Sequence, residues 1–348
     1  MVKEIGIAIL GLGTVGGNVL QIIRENETRF EELYGIHLKV HFVYVQNLNK
    51  KRDISLEGLT VTNDIEIICN SPCVDICIEC MGGSGTEENF NIIMQLIERE
   101  KNIIMSSKKC LALYKNKIIE KMKKYDVQLR YEATVGGSIP VCHIFQALSG
   151  YDPVKRIYGI ANATTNYILS LMSKECMNYE KALENAKQKG YAENDITDDV
   201  EGWDALYKMS IILQFGLGID INPKELTPYS IEEITKKCES IKEGKVKQIF
   251  YAERLEDNKI AYYVGPVVVS PNMVLSNVDG RENVIFVEQR YGGRRAYVGA
   301  GAGGRETASI MIEDLFNMLA SKVQPKVAGK CNQMELLSPD DVLKRISE

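Results

Sequence analysis

Gly190-Tyr191-Ala192-Glu193-Asn194-Asp195 opens the part of the chain richest in groups that can bind or move a proton. The stretch runs on through Asp198, Asp199, Val200, Glu201, Gly202, Trp203 and Asp204 to Lys208. Asp204 and Lys208 stand four residues apart, so on a helix they lie one above the other on one face. Val200, Trp203, Leu206, Tyr207 and Ile211 give such a helix, read over 199–216, enough apolar surface to be buried. A lysine and carboxylates on a buried helix need partners, because an unpaired charge out of water is costly. A small polar substrate is one such partner. A surface helix laced with salt bridges is the plain alternative.

Three other places carry possible chemistry. Asn102-Ile103-Ile104-Met105-Ser106-Ser107-Lys108-Lys109 reads as a strand that ends in two lysines. Open α/β sheets hold ligands at strand C-terminal ends, so one lysine could reach a cofactor or substrate; equally, both could open an exposed helix. Glu132 is followed by the glycine-rich bend Ala133–Pro140, whose carbonyl oxygens suit a hard cation, although a plain loop between domains is the commoner meaning. Cys142 would need a positioned base to act as a nucleophile. Its neighbour His143 does not face it on a helix.

The nine cysteines sit mostly in apolar runs. Cys69, Cys73, Cys77 and Cys80 are close in sequence, but Cys77 and Cys80 fall on opposite faces of a strand-like run. Pro72 breaks any helix that would align Cys69 with Cys73. They read as core residues of a protein in a reducing cytoplasm, not as a metal cluster or a disulfide frame.

These groups need a frame, and the N-terminal third supplies one. An apolar strand, Glu4–Leu10, runs into Gly11-Leu12-Gly13-Thr14-Val15-Gly16, and a helix follows over 16–34. That is the context a dinucleotide fingerprint requires. Gly11 permits the turn, Gly13 lets backbone approach a pyrophosphate, and Gly16 allows the helix to pack on the strand. The helix N-terminus then offers N–H groups and a positive dipole to phosphate. The second strand ends Val45-Gln46-Asn47 without the acid that commonly meets a ribose 2′-OH. Lys50, Lys51 and Arg52 follow; they favour a 2′-phosphate and so NADP over NAD, unless they belong to a solvated loop.

Further strands at 75–80, 102–107 and 127–133 alternate with helices at 87–100 and 115–125. The pattern predicts a Rossmann-type, doubly wound parallel sheet. Beyond Pro140 come helices at 139–149, 165–174 and 178–190, and strands at 154–161. Later strand-like runs are VKQIFYAERL, IAYYVGPVVV, ENVIFVEQ and RRAYVGA. They predict a second, α+β domain for substrate and dimerisation. The expected boundaries are 1–138, with 301–330 returning to it, and 139–300. The turn Val298–Gly304 leads into a helix over 307–321. The tail beyond Pro325 shows no clear role.

At 348 residues and a net charge of −5, with both signs interspersed, the chain carries no basic face for nucleic acid. No apolar run reaches the roughly 18 residues that span a membrane. The short apolar start reads as a strand and not as a signal peptide.

Taken together these segments resemble homoserine dehydrogenase, over Ile5 to about Leu315. The most specific match is Gly190-Tyr191-Ala192-Glu193, Asp195, then Asp199-Val200-Glu201-Gly202-Trp203-Asp204 and Lys208. Gly159-Ile160-Ala161-Asn162-Ala163-Thr164-Thr165-Asn166 matches the family's asparagine-rich strand and helix. The resemblance implies reduction of aspartate 4-semialdehyde to homoserine with NADPH or NADH. It implies Lys208 as proton donor, Lys108 between nicotinamide and substrate, and Glu193 and Asp204, supported by Asp199, as substrate-binding residues. It implies cofactor contacts at Gly190 and Gly301. It implies a monovalent cation, sodium or potassium, on Glu132 with the backbone of Val135, Gly137 and Ile139. A homodimer is implied too, in the short form without a C-terminal regulatory domain. Ile196 replaces a usual Pro, Ser106-Ser107 a common Ala-Asn, Ala163 a Gly and Ala300 a Pro. Two rival readings are an aspartate-semialdehyde dehydrogenase built on Cys142 and a nucleotide-binding pseudoenzyme.

Overall fold

The computed structural model describes residues 2–82, 85–148, 150–193, 195–235, 243–256, 259–320, 329–330 and 333–347. The chain divides into two units, Met1–Thr134 with Gly303–Pro325, and Val135–Ala302 with Lys326–Glu348.

The first unit begins with β1 (Lys3–Leu10), α1 (Thr14–Glu25), α2 (Glu27–Tyr34) and β2 (Ile36–Tyr44). It continues with β3 (Thr60–Thr62), α3 (Ile65–Cys69), β4 (Ile76–Glu79) and α4 (Thr86–Glu98), then β5 (Asn102–Met105), α5 (Lys108–Tyr125) and β6 (Leu129–Arg130). The last six residues of β1 are buried without alternation, as expected of a parallel strand covered on both faces. The sheet has the order β3-β2-β1-β4-β5-β6, parallel throughout. The order in which strands are added therefore reverses between β1 and β4, the switch point where such sheets hold ligands.

Some expected bounds change here, among them the helix read over 115–125, which starts at Lys108, and the strand read over 127–133, which shortens to Leu129–Arg130. The helix read over 16–34 is two helices, because Asn26 leaves helical geometry (φ −117°, ψ 11°) and its side chain bonds the Ile22 carbonyl. The strand read over 102–107 ends at Met105, and α5 starts at Lys108, so that lysine opens a helix. β3 and α3 are too short to show a period in sequence.

The second unit contains α6 (Val141–Leu148), β7 (Val154–Ile160), α7 (Ala163–Glu175), α8 (Tyr179–Gln188), α9 (Thr197–Val200), α10 (Trp203–Gly216) and β8 (Ile219–Asp220). Then follow α11 (Glu232–Thr235), β9 (Lys245–Arg254), β10 (Lys259–Val269), β11 (Glu282–Gln289) and β12 (Gly293–Ala300). α12 (Gly304–Ala320) returns to the first unit, where Ala308, Met311, Ile312 and Leu315 join the core made by β1 and α1. Ser321, the last residue of the helix read there, lies outside the described residues. β13 (Gly329–Lys330), β14 (Gln333–Leu336) and α13 (Pro339–Ser347) close the chain. The second sheet has the order β12-β11-β7-β9-β10-β14, antiparallel except for β10 with β14.

The tail has a structural part that the sequence reading missed. β14 extends the sheet, and Val342 and Ile346 of α13 enter its core beside Tyr263 and Phe286. The single helix expected over 199–216 is also two. Gly202 takes φ +87°, a left-handed conformation that glycine tolerates, and it separates α9 from α10. A Cβ there would stand 3.0 Å from Cβ of Pro228.

Among the described cysteines all are free thiols, and Cys69, Cys77, Cys110 and Cys142 are buried. Burial pushes the Cys69 thiol up to about 11 and that of Cys110 up to about 12, so these are inert core groups. Among the described residues no helix is long and apolar enough to cross a membrane.

Candidate active site

In the first unit, Gly11 follows β1 with φ +93°, and a Cβ on it would lie 2.6 Å from the Cys80 carbonyl oxygen at the end of β4. A Cβ on Gly16 would lie 2.0 Å from the Gly11 oxygen, so glycine there lets α1 press against the turn. Gly13 differs: nothing stands within 4 Å of its would-be Cβ. Thr14 and Val15 open α1 immediately after it. The result is an open cradle lined by a helix N-terminus at the sheet's switch point, which fits a pyrophosphate. In the loop after β2, Arg52 turns inward and donates to the carbonyls of Lys50 and Asn47. Lys50 and Lys51 are exposed.

Glu79, fully buried at the end of β4, has a role that sequence reasoning missed. Its carboxylate accepts from the backbone N–H of Met81 (2.7 Å), Ser106 (3.1 Å) and Ser107 (2.9 Å), and from the Ser107 hydroxyl (2.6 Å). It thereby ties the loop after β4 to the start of α5 and fixes where Lys108 begins. A lone acid inside the apolar run Ile76-Cys77-Ile78-Glu79 was the available signal. Glu132 sits buried in a 3-10 turn after β6, and its N–H donates to Asp314 at 2.9 Å. Burial pushes the Asp314 carboxyl up to about 7.

In the second unit, Lys208 and Asp204 form an ion pair of 2.8 Å, with only 10% and 3% of their side chains exposed. Lys208 Nζ also donates to the Ala161 carbonyl at the end of β7 (2.5 Å). Asn162, the next residue, donates through Nδ2 to Asp199 (2.5 Å) and Asp204 (2.8 Å). Gln248 of β9 donates to the Asp199 backbone carbonyl and accepts from the Thr165 hydroxyl. Asp199, Asp204 and Lys208 are thus drawn into one network although they arise on two helices.

Glu193 stands exposed on the loop after α8, three residues past Gly190 (φ +70°). That loop is held by the Thr164 hydroxyl, which donates to the Tyr191 carbonyl, and by the Arg281 guanidinium over the Tyr191 ring. Asp195 accepts from the N–H and hydroxyl of Thr197 at the start of α9, beside Ile196, whose own side chain offers no cap. Gly301 donates to the Arg281 carbonyl and packs on buried Asn283. Gly137 (φ +69°) lies against the backbone of Ala300 and Gly301; Val135 and Ile139 are buried on either side of it. Cys142 is 3% exposed on α6.

A buried ammonium beside carboxylates can stabilise a developing oxyanion and deliver a proton to it. A parallel sheet with a glycine turn at its reversal is how nicotinamide-dependent oxidoreductases seat their cofactor, and that is the class defined here. The family models narrow it. The model described as "Homoserine dehydrogenase" matches residues 140–316, and "Homoserine dehydrogenase, NAD binding domain" matches residues 11–132.

The chain is 29% identical to the homoserine dehydrogenase of Bacillus subtilis, over 98% of this chain and 79% of that one. It is 32% identical to that of Synechocystis sp., over 90% of this chain and 73% of the relative. The crystal structure of a Thiobacillus denitrificans homoserine dehydrogenase superposes with a TM-score of 0.86 at 30% identity, covering 96% of this chain and 80% of that one. The chain belongs to the homoserine dehydrogenase family. It is an oxidoreductase that interconverts L-aspartate 4-semialdehyde and L-homoserine with a nicotinamide cofactor. A dehydrogenase acting through a Cys142 thiolate is not favoured.

Proposed function

We propose that Lys208 is the proton donor of this reaction and that Asp204, Asp199 and Glu193 bind the substrate through its ammonium group. The observation that carries this reading is the buried Lys208–Asp204 pair at 2.8 Å. Bound reduced nicotinamide supplies a hydride for the aldehyde carbon. Charge then grows on the carbonyl oxygen, where the Lys208 ammonium donates a hydrogen bond and then its proton. Asp204 holds the ammonium in place at 2.8 Å. Lys108, at the start of α5, is the second catalytic lysine in this reading, between nicotinamide and substrate. Gly11, Gly13, Thr14, Val15 and Gly16 hold the pyrophosphate, with further cofactor contacts at Gly190 and Gly301.

NADP is the preferred cofactor in this reading. Support comes from exposed Lys50 and Lys51 beyond a β2 end with no acid, and from a hyperthermophilic archaeal homoserine dehydrogenase of like fold solved in complex with NADPH. Glu132 with the carbonyls of Val135, Gly137 and Ile139 would hold sodium or potassium; one carboxylate among carbonyls is a donor set suited to a hard cation of low charge. β12 is an edge strand with Val298 exposed, which suits pairing in a homodimer. Free thiols suit a cytoplasmic location.

Lys208→Ala tests the central role. Losing an oxyanion donor costs roughly 100- to 1,000-fold in turnover, so kcat falls by at least that much while NADPH titrates as in the wild type. Full turnover by the variant would end the assignment.

A further inference from the structure

Glu79 ends β4 between the glycine turn after β1 and the start of α5. In the sheet it stands opposite Leu10, the residue before Gly11, on one side and opposite Met105, the end of β5, on the other. Its side chain is fully buried. The groups that face its two oxygens are all donors: the N–H of Met81, Ser106 and Ser107, and the Ser107 hydroxyl at 2.6 Å. That hydroxyl accepts from the Asn89 amide at 3.0 Å, so its own proton points to Glu79. A protonated carboxyl would find no acceptor here, so the group is a carboxylate held by oriented dipoles. Among the described residues no cation forms an ion pair with it; these four hydrogen bonds hold the charge.

The charge is felt by its neighbours. Burial pushes the thiols of Cys80 and Cys110 up, and the Glu79 carboxylate adds to the shift of both.

The fold sets the direction of a dinucleotide across this sheet. Its pyrophosphate belongs on the turn after β1, and its adenosine ribose is read at the end of β2. β2 and β4 flank β1 on opposite sides. The nicotinamide half therefore runs away from β2, over the ends of β4 and β5, where Glu79 stands. Oxidised and reduced cofactor differ there by one unit of charge, because the oxidised ring is a cation and the reduced ring is neutral.

We infer that Glu79 is a buried counter-charge which favours the oxidised, cationic nicotinamide over the reduced ring. The inference rests on the reading of this crevice as the cofactor site. It also bears on the reaction. Positive charge grows on the ring as hydride leaves, and a fixed carboxylate stabilises that charge with no reorganisation of its surroundings.

The experiment compares the full-length wild type with Glu79→Gln, Glu79→Ala and Glu79→Asp, and needs no substrate. NADPH is titrated by its fluorescence, and oxidised NADP by competition against it. A change in the shape of the crevice touches both forms alike, so the ratio of the two Kd values reads the charge of the ring. A unit charge acting through partly buried protein is worth roughly tenfold in affinity. Glu79→Gln therefore weakens oxidised NADP roughly tenfold more than NADPH. Glu79→Ala shifts the ratio in the same direction without setting an amide NH2 against the N–H donors. Glu79→Asp keeps the charge and holds the ratio within about twofold, although both affinities fall. An unchanged ratio in a folded Glu79→Gln or Glu79→Ala protein that still binds NADPH would show a purely structural tie and overturn the inference. A wild type that binds neither form would overturn it together with the cofactor reading of the crevice.

Discussion

Replacing Gly13 with alanine separates the cofactor cradle from the fold that holds it. Gly13 has φ −89° and ψ −154°, an extended conformation open to any residue. No atom lies within 4 Å of a Cβ built there. The folded protein therefore meets no clash, and the gain of about 0.4–1 kcal/mol from lost glycine freedom in the unfolded chain is offset by the poorer N-cap that alanine makes for α1, so stability changes little. The bound state is different. A methyl in the cradle pushes a phosphate outward by about 1–2 Å, which stretches N–H···O contacts of about 2.9 Å beyond hydrogen-bonding range. Losing one or two charge-assisted bonds costs about 3 kcal/mol, or roughly 100-fold in Kd. The paired control is Gly16→Ala, where the Cβ would lie 2.0 Å from the Gly11 oxygen. It loses about 1–3 kcal/mol of stability, because backbone must move. NADPH fluorescence titration alongside thermal unfolding reads both quantities. A Gly13→Ala protein with unchanged Tm and unchanged NADPH affinity would refute the cradle.

Other perturbations follow from buried charge. Asp314, 2% exposed and with its carboxyl at about 7, keeps its proton in the folded chain where the unfolded chain has lost it. Its folded pKa lies above the ordinary 3.8, so stability falls as pH rises from about 4 to 7. Asp314→Asn removes that slope and gains up to about 4 kcal/mol at pH 8, measured by urea unfolding at several pH values. Asp279 meets Lys174 (2.9 Å), Lys245 (3.1 Å) and Lys247 (2.9 Å), which hold its carboxyl well below the usual range although burial opposes them. Asp279→Asn removes the carboxylate from the buried Lys247 ammonium, leaving it the neutral Asn166 Oδ1 and Val278 carbonyl, and costs about 3 kcal/mol; a loss under about 1 kcal/mol at pH 7 would contradict this. Gly202→Ala must strain at φ +87° against Pro228, so it lowers Tm by several degrees.

Local patterns carried the frame and half of the site. β1, the glycine turn and α1 were legible because a covered parallel strand is apolar throughout and the turn needs glycine where a Cβ would clash. Asp204 and Lys208 were legible because their spacing matches one helical turn. Gly202 was ambiguous, since a glycine inside a helical pattern reads as tolerated or as a break, and only the crowding by Pro228 decides. The start of α5 depends on Glu79, which is distant in sequence and gathers the Ser106 and Ser107 N–H groups. The bridging role of Asn162 exists only when β7, α9 and α10 come together, so no spacing reveals it. The tail escaped notice because β14 gains meaning only as the partner of β10.

The central claim is that this chain oxidises and forms homoserine with a nicotinamide cofactor. The most direct measurement adds L-homoserine to the purified protein with NADP, and separately with NAD, and follows the absorbance of reduced nicotinamide. The account predicts a homoserine-dependent rise, faster with NADP and abolished in Lys208→Ala. No rise with either cofactor, from a folded protein that binds NADPH, would contradict it.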